Sequence, residues 1–204
     1  YNGISQETNL PVTWSKTENV LWRLALPGSA GSTPAVWGNR IFLPSADADQ
    51  LVAMAVSTDG QVLWKHAIGG HNQPVRGDEG NYASPSPSTD GKHVWFFFGT
   101  GDLVCYTVDG QEVWKFNVAD RYGKLDIQFG MTSTPVLDGG SLYLQLLHST
   151  GALVVALDNQ SGQEIWSHKR QSDARDECEH YYASPVIYRD GKLELFPTHG
   201  ADHL

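Results

Sequence analysis

The sequence predicts an all-β chain built from four-stranded antiparallel sheets that repeat as the blades of a β-propeller. Short runs rich in Val, Leu, Tyr and Phe alternate with glycine-containing turns along the 204 residues. Such alternation is typical of strands joined by hairpins. Three sequence markers also recur together about every 50 residues, and that period is the length of one propeller blade.

The composition restricts the class of partner. The chain is 40% hydrophobic and 18% charged, which provides enough apolar material for a core. Fourteen Lys and Arg stand against 23 Asp and Glu, giving a formal charge of -9, and no basic run offers a surface for phosphates. The longest apolar runs are far shorter than the roughly 18 residues of a membrane-spanning helix. We therefore expect no nucleic-acid partner and no transmembrane segment.

The three markers keep one phase along the chain. The first is a Ser-Pro or Ser-Thr-Pro motif, whose prolines are 51, 50 and 50 residues apart, at Pro34, Pro85, Pro135 and Pro185. The second is a Leu-Val segment, which starts at Leu51, Leu103 and Leu153. The third is a glycine four residues before a tryptophan, in the segments Gly60–Trp64, Gly110–Trp114 and Gly162–Trp166. Their common phase indicates tandem copies of one structural unit.

Turn chemistry divides each repeat into four strands. The first strand follows the proline and ends at a hairpin turn such as Gly38-Asn39 or Asp90-Gly91, and the fourth begins after a turn such as Asp59-Gly60. The predicted blades cover residues 32–68, 83–118 and 133–169, with an incomplete blade at 183–204 and a lone outer strand at 19–24. We expect the partners of that outer strand to come from a more C-terminal segment, as in a closed ring.

The tryptophan of each fourth strand is predicted to dock one blade on the next. A blade packed between two neighbours buries both of its faces, and adjacent apolar residues such as Val62 and Leu63 fit that environment. A docked indole removes on the order of 200 Å² from water, and its N–H needs one acceptor. The predicted docking residues are Trp22, Trp64, Trp114 and Trp166.

The segment from Ala156 to Trp166 resembles the Ala-x-Asp-x-x-Thr-Gly-x-x-x-Trp signature of the pyrroloquinoline-quinone-like repeat, found in quinoprotein alcohol dehydrogenase-like propellers. Looser copies run from Asp59 and from Asp109. The resemblance implies an eight-bladed ring, of which this chain would supply about half. The remaining half would come from the same chain or from a second chain.

Propeller geometry indicates where chemistry would be located. The connections between blades, and the turns between second and third strands, lie on one face and carry most functional sites of the fold. In this chain the connections are long and polar, which suggests that they carry a function. Tyr82 and Tyr182 could stack on a sugar or a planar ring, or could pack at the rim. The candidate binding residues are His71, Arg76, Asp78, Glu79, Tyr82, Arg121, Asp126, Glu177, Glu179, His180, Tyr182 and His199.

The residues themselves supply no catalytic set and no recognisable metal motif. Ser84, Ser133 and Ser184 belong to the repeated Ser-Pro marker and have no His-Asp partner at a defined spacing. Carboxylates and imidazoles on the loops could hold a cation, but none of them has the spacing of a strong metal motif. The identity of any metal therefore stays open.

Three functions are compatible with these features. Our preferred interpretation is a non-catalytic scaffold or binding module of an exported or envelope-associated bacterial protein, with an acidic, loop-lined face that binds a ligand or a partner, either a protein or a glycan. The resemblance alone implies a second, a dehydrogenase that uses pyrroloquinoline quinone and Ca²⁺. The third is a glycan-binding or polysaccharide-processing propeller.

The chain departs from the dehydrogenase pattern in its cysteines. Cys105 and Cys178 are not adjacent, whereas the resemblance implies a vicinal disulfide above the quinone. The resemblance also implies a periplasmic or extracellular location, and the chain carries no signal-peptide pattern at its start.

Overall fold

The computed structural model describes residues 6–69, 71, 74–75, 80–148, 151–171 and 173–198, and of residues 74, 75, 177 and 178 only the backbone. These residues form three four-stranded antiparallel sheets in sequence order, followed by a two-stranded sheet. The predicted all-β architecture of four-stranded antiparallel blades is therefore confirmed, as a partial propeller.

The strands follow one another as the turn residues predict. The first sheet comprises β1 (Ala35–Trp37), β2 (Arg40–Asp47), β3 (Gln50–Ser57) and β4 (Val62–Gly69). A short pair, β5 (Pro74–Val75) and β6 (Gly80–Asn81), lies in the connection that follows. The second sheet comprises β7 (Ser88–Thr89), β8 (His93–Phe97), β9 (Asp102–Thr107) and β10 (Glu112–Asn117). The third comprises β11 (Val136–Asp138), β12 (Ser141–His148), β13 (Gly151–Asp158) and β14 (Glu164–Lys169), and the last β15 (Tyr188–Asp190) and β16 (Leu193–Leu195).

The hydrophobic core lies between neighbouring sheets. Successive side chains of a strand point to opposite faces, and β8 shows this directly. Val94 and Phe96 belong to the cluster shared with the first sheet, whereas Trp95 and Phe97 belong to the cluster shared with the third. Both faces of the middle blade are thus buried, which explains why its central strands lack an apolar and polar alternation.

Hydroxyl groups link the segments that precede the first strands of neighbouring blades. The backbone N–H of Thr33 donates to Ser86 Oγ at 2.9 Å, and that of Ser86 donates to Thr134 Oγ1 at 3.0 Å. The Thr134 N–H in turn donates to Ser184 Oγ at 2.9 Å. All four residues lie in or next to the Ser-Pro markers. One physical reason for the recurrence of the hydroxyl is therefore that it supplies an acceptor to the preceding blade.

Two short helices interrupt the β-structure of the residues that the structure describes. Helix α1 (Val118–Tyr122) follows β10, and a 3-10 helix covers Asp176–Glu179. The Asn117 side chain accepts from the Ala119 N–H and caps the start of α1. Neither helix in the described part of the chain is long and apolar enough to cross a membrane.

Residues 19–24 differ from the sequence prediction of a lone outer strand. All six are described, and none of them is in a strand. A strand needs a hydrogen-bonded neighbour, and none of the described strands pairs with this segment. The segment is instead attached through Trp22, whose indole N–H donates to the Thr58 carbonyl at 2.6 Å.

Candidate functional site

The first blade contacts the second through Trp64. Its indole N–H donates to the Val108 carbonyl at 3.0 Å. Its ring lies against Gly110, where an added β-carbon would sit 2.7 Å from Trp64 Cγ. Gly110 also has a φ of +90°, which an L side chain rarely adopts. Glycine therefore serves both the turn and the close approach of the indole.

The same arrangement recurs at two other junctions. Trp114 lies against Gly162, and its indole N–H donates to the Asn159 carbonyl at 3.1 Å. Trp22 lies against Gly60 in the same way. The glycine of each Gly-x-x-x-Trp marker thus receives the tryptophan of the preceding unit rather than its own.

Trp166 has a different environment. It is 40% exposed, and its ring is 6.0 Å from that of Tyr143, measured between centroids. Within the described residues its indole N–H has no acceptor. Its place in the marker is the same as that of Trp64, but the described part of the last sheet contains only two strands.

The two ends of the blades form two distinct faces. One face carries the connections between blades and the β2–β3, β8–β9 and β12–β13 turns, and we call it the loop face. On this face, His71 Nδ1 lies 3.2 Å from Asp49 Oδ2. The opposite end, the turn face, carries the other hairpin turns, and Arg40 pairs with Asp109 there at 2.5 Å. Predicted site residues belong to connections of the loop face.

Three segments of the loop face meet at His148, the last residue of β12. His148 is only 4% exposed, and its Nδ1 accepts the Asp126 N–H at 3.4 Å. Two residues further along the same loop, the Gln128 N–H donates to His180 Nδ1 at 3.2 Å. We call these four residues, Asp126, Gln128, His148 and His180, the His148 cluster. It brings together two sequence candidates, Asp126 and His180.

Burial determines the electrostatics of this cluster. Desolvation lowers the pKa of His148 below its ordinary value, and the nearby His180 lowers it further, whereas the Asp126 carboxylate acts in the opposite direction. Desolvation is the largest of these effects, so the neutral imidazole is favoured. A neutral His148 is also what its hydrogen bond requires, because Nδ1 can accept only when it carries no proton.

Both tyrosine candidates pack against neighbouring residues. The rings of Tyr182 and Phe129 are 5.8 Å apart between centroids, and Thr132 Oγ1 donates to the Tyr182 carbonyl at 3.2 Å. Tyr82 lies against Gly99, where an added β-carbon would be 2.6 Å from Tyr82 Cδ1. These contacts correspond to the rim-packing alternative rather than to an open stacking surface.

Arg121 points along the blade junction. Its Nη1 donates to the Gly162 carbonyl at 2.6 Å, and its guanidinium carbon lies 3.4 Å from the centroid of the Phe116 ring. Stacking on an aromatic face and a charge-assisted hydrogen bond are both favourable uses of a guanidinium. The side chain therefore joins the second blade to the turn that also receives Trp114.

The remaining candidates are not brought to the cluster by the described structure. His71 is exposed and adjoins Asp49, and Glu179 ends the 3-10 helix directly before His180. The other candidates, or their side chains, lie outside the described residues, namely Arg76, Asp78, Glu79, Glu177 and His199.

His148 and Gln128 are not among the candidates chosen from the sequence. The usable signal for His148 was a polar residue at the end of an apolar strand, after Leu146 and Leu147. Gln128 acts through its backbone N–H, so its side-chain type carries no signal.

The residues that the structure describes contain no recognisable set of side chains for the Ca²⁺ that the resemblance implies. Cys105 is fully buried in β9 as a free thiol, and burial raises its pKa to about 12. No group of three or more His, Cys, Asp or Glu side chains in this part of the chain is placed to hold a metal ion.

Comparisons with known proteins agree with the repeat architecture. A family model described as outer membrane protein assembly factor BamB matches residues 4–145. A second, described as the β-propeller domain of glucose/ethanol/alcohol dehydrogenase, matches residues 107–199. No curated protein matches the sequence.

Solved structures show the same fold at low identity. A europium-containing methanol dehydrogenase is 15% identical with a TM-score of 0.52, over 68% of this chain and 24% of its own. The quinohemoprotein alcohol dehydrogenase from Comamonas testosteroni is 15% identical with a TM-score of 0.51, over 70% of this chain and 21% of its own. The computationally designed Ika4 protein is 12% identical with a TM-score of 0.53, over 88% of this chain and 90% of its own.

The chain spans less than a quarter of each of the two dehydrogenases. At these identities the structural likeness is evidence for the fold alone. The match to residues 4–145 covers more than half of the sequence. The chain therefore belongs to the pyrroloquinoline-quinone-like β-propeller family that is described as outer membrane protein assembly factor BamB.

Proposed function

We propose that the chain is part of a non-catalytic propeller scaffold that binds a protein partner through its loop face during outer membrane protein assembly. The observation that supports this proposal is the family match over residues 4–145, which include the first two blades. The proposal places the protein in the periplasm or attached to the envelope. Blades joined by packed junctions form a rigid frame, which suits a protein that presents loops to a partner.

The charge of the loop face indicates the chemistry of that partner. Asp49, Asp120 and Asp173 are exposed on its turns and connections, and the whole chain carries a formal charge of -9. An acidic surface attracts a basic one and raises the rate of encounter. The expected partner surface is therefore rich in Lys and Arg, and its binding should weaken as salt concentration rises.

Charge reversal at one face tests the proposal. The loop-face variant carries Asp49→Lys, Asp120→Lys and Asp173→Lys. The matched control carries Asp59→Lys, Glu112→Lys and Asp190→Lys, three exposed carboxylates on or beside the turn face, so both variants undergo the same change in net charge. Photo-crosslinking in cells, followed by mass spectrometry, measures the yield of crosslinks to outer membrane assembly proteins.

We expect the loop-face variant to lose about 90% of this yield and the control to keep most of it, because rim charges act mainly on the association rate of the face that carries them. Equal yields from both variants would contradict binding at the loop face. A crosslinked partner with no role in outer membrane assembly would contradict the proposed process.

The match of residues 107–199 to the dehydrogenase propeller domain favours a second candidate, a quinoprotein dehydrogenase. In that case the quinone and Ca²⁺ would be held by residues outside the described part of the chain. Incubation with pyrroloquinoline quinone and Ca²⁺, followed by its absorbance and dye-linked alcohol oxidation, tests this candidate. Quinone binding with turnover would replace the scaffold proposal.

A further inference from the structure

We infer that the loop of residues 124–130 is a proton-sensitive latch, which two neutral histidines hold on the loop face and which is released when they are protonated. The inference does not depend on the proposed function, because it concerns contacts within the chain.

The latch rests on two hydrogen bonds of the same kind. The N–H groups of Asp126 and Gln128, two residues apart on one loop, donate to Nδ1 of His148 and of His180. The two acceptors come from different segments, since His148 ends β12 and His180 follows the 3-10 helix. One loop is thus fastened to two separate parts of the third blade and its connection. The Tyr181 N–H, which donates to the Leu147 carbonyl at 3.4 Å, holds the two anchoring segments together.

Protonation removes both acceptors. A neutral imidazole offers one nitrogen lone pair, whereas the imidazolium carries a proton on each nitrogen and can only donate. Each protonated histidine would therefore face a backbone N–H with its own N–H. That repulsive contact, together with the cost of an unsatisfied donor, favours movement of the loop away from the histidines.

Burial sets the direction of the effect at His148, and the charged groups around the two histidines modify it. Burial and His180 act against the imidazolium of His148, whereas Asp126 on the loop favours it. The loop also carries Lys124, and Glu179 directly precedes His180. Among the described residues, the two that flank His148 at the strand ends, Leu147 and Gly151, carry no charge.

The sign of the pH dependence follows from the lowered pKa of His148. The closed loop binds fewer protons than the open loop, in which the pKa returns toward its ordinary value of 6.5. The closed form is therefore most stable above that pH, and its stability falls as the pH decreases through 6.5 toward the lowered value. The latch is predicted to be closed near neutrality and to open under mild acid.

Hydrogen exchange measured by mass spectrometry tests the latch in the protein. Peptides that cover residues 124–130 are compared at about pH 7.5 and about pH 5, after correction for the intrinsic exchange rate at each pH. We expect their protection to fall about five- to tenfold on acidification, which is the factor that loss of one or two hydrogen bonds produces. Peptides from β8 and β9 should keep their protection.

Three variants separate the latch from general acid sensitivity. Glutamine can accept a hydrogen bond through Oε1 and does not titrate, so H148Q and H180Q should each reduce the pH dependence of this loop, and the double variant should nearly abolish it. H168Q is the matched control, because His168 is exposed on β14 outside the cluster. It should behave as the unaltered protein does.

Two results would overturn the inference. One is protection of residues 124–130 that stays constant between the two pH values in the unaltered protein. The other is an equal loss of protection in H180Q and in H168Q. If a variant at the buried His148 does not fold, the exchange of the unaltered protein and of H180Q still decides the outcome.

Discussion

Replacement of Gly110 by alanine should weaken the junction between the first and second blades. The new β-carbon would lie 2.7 Å from Cγ of Trp64 and 2.9 Å from its Cδ1, both of which are ring atoms that cannot bend away. Relief of such overpacking costs about 1–3 kcal/mol. The φ of +90° adds about 1–2 kcal/mol for an L residue. The expected loss in the free energy of unfolding is therefore about 2–5 kcal/mol.

Gly140 provides a matched control for the backbone contribution. Its φ is +91°, almost the same as that of Gly110, but an added β-carbon would meet nothing within 4 Å. Gly140→Ala should therefore cost only the backbone strain of about 1–2 kcal/mol. The difference between the two variants isolates the contact with Trp64.

Urea unfolding of the two single variants, and of both in a Trp64→Leu background, measures this contact. We expect Gly110→Ala to cost about 1–3 kcal/mol more than Gly140→Ala, and we expect that excess to shrink when leucine replaces the indole. The reasoning would be refuted if the two alanine variants were equally destabilised, or if the excess cost persisted without the indole.

Three further predictions follow from contacts at the blade junctions. Arg121→Gln should lower the unfolding free energy by about 1–2 kcal/mol through loss of the bond to the Gly162 carbonyl, and a value near zero by urea unfolding would contradict that role. Thr134→Val should lower the unfolding free energy by about 1–3 kcal/mol because the Ser86 N–H loses its acceptor, whereas Thr134→Ser should be nearly neutral. Equal losses in the two variants would exclude the Thr134 hydroxyl as the source of the stabilisation. Burial raises the pKa of Cys105 to about 12. In C178S protein at about pH 8, iodoacetamide should therefore alkylate Cys105 at least about 100-fold more slowly in the folded form than in the unfolded form. Similar rates for the two forms would contradict the burial of Cys105.

The sequence was sufficient to predict the blades because their signals are local and repeated. Glycine, proline and tryptophan at constant spacing mark the turns and the fourth strands, and the observed sheets follow these marks. The spacing also placed Gly110 and Trp114 in one unit. The spacing could not show that Trp64 packs against Gly110, because that contact joins residues of different blades.

The candidate site was less predictable, since its contacts join distant segments and use backbone groups. Asp126 and His180 are sequence candidates because of their side chains, yet the observed bonds are made by the backbone N–H of Asp126 and by Nδ1 of His180. Arg121 was expected at the loop face because it lies in a connection. Its long side chain runs instead along the junction to Gly162.

The exchange of the indole N–H protons tests most directly whether each blade is joined to the next through its tryptophan. Trp14, which is 64% exposed, provides the reference in a nuclear magnetic resonance measurement on nitrogen-15-labelled protein. The structure predicts that the indole protons of Trp64 and Trp114 exchange at least about tenfold more slowly than that of Trp14, because each is bonded to a carbonyl of the next blade. Equal exchange rates for the three indoles would contradict these junctions and the arrangement of blades that depends on them.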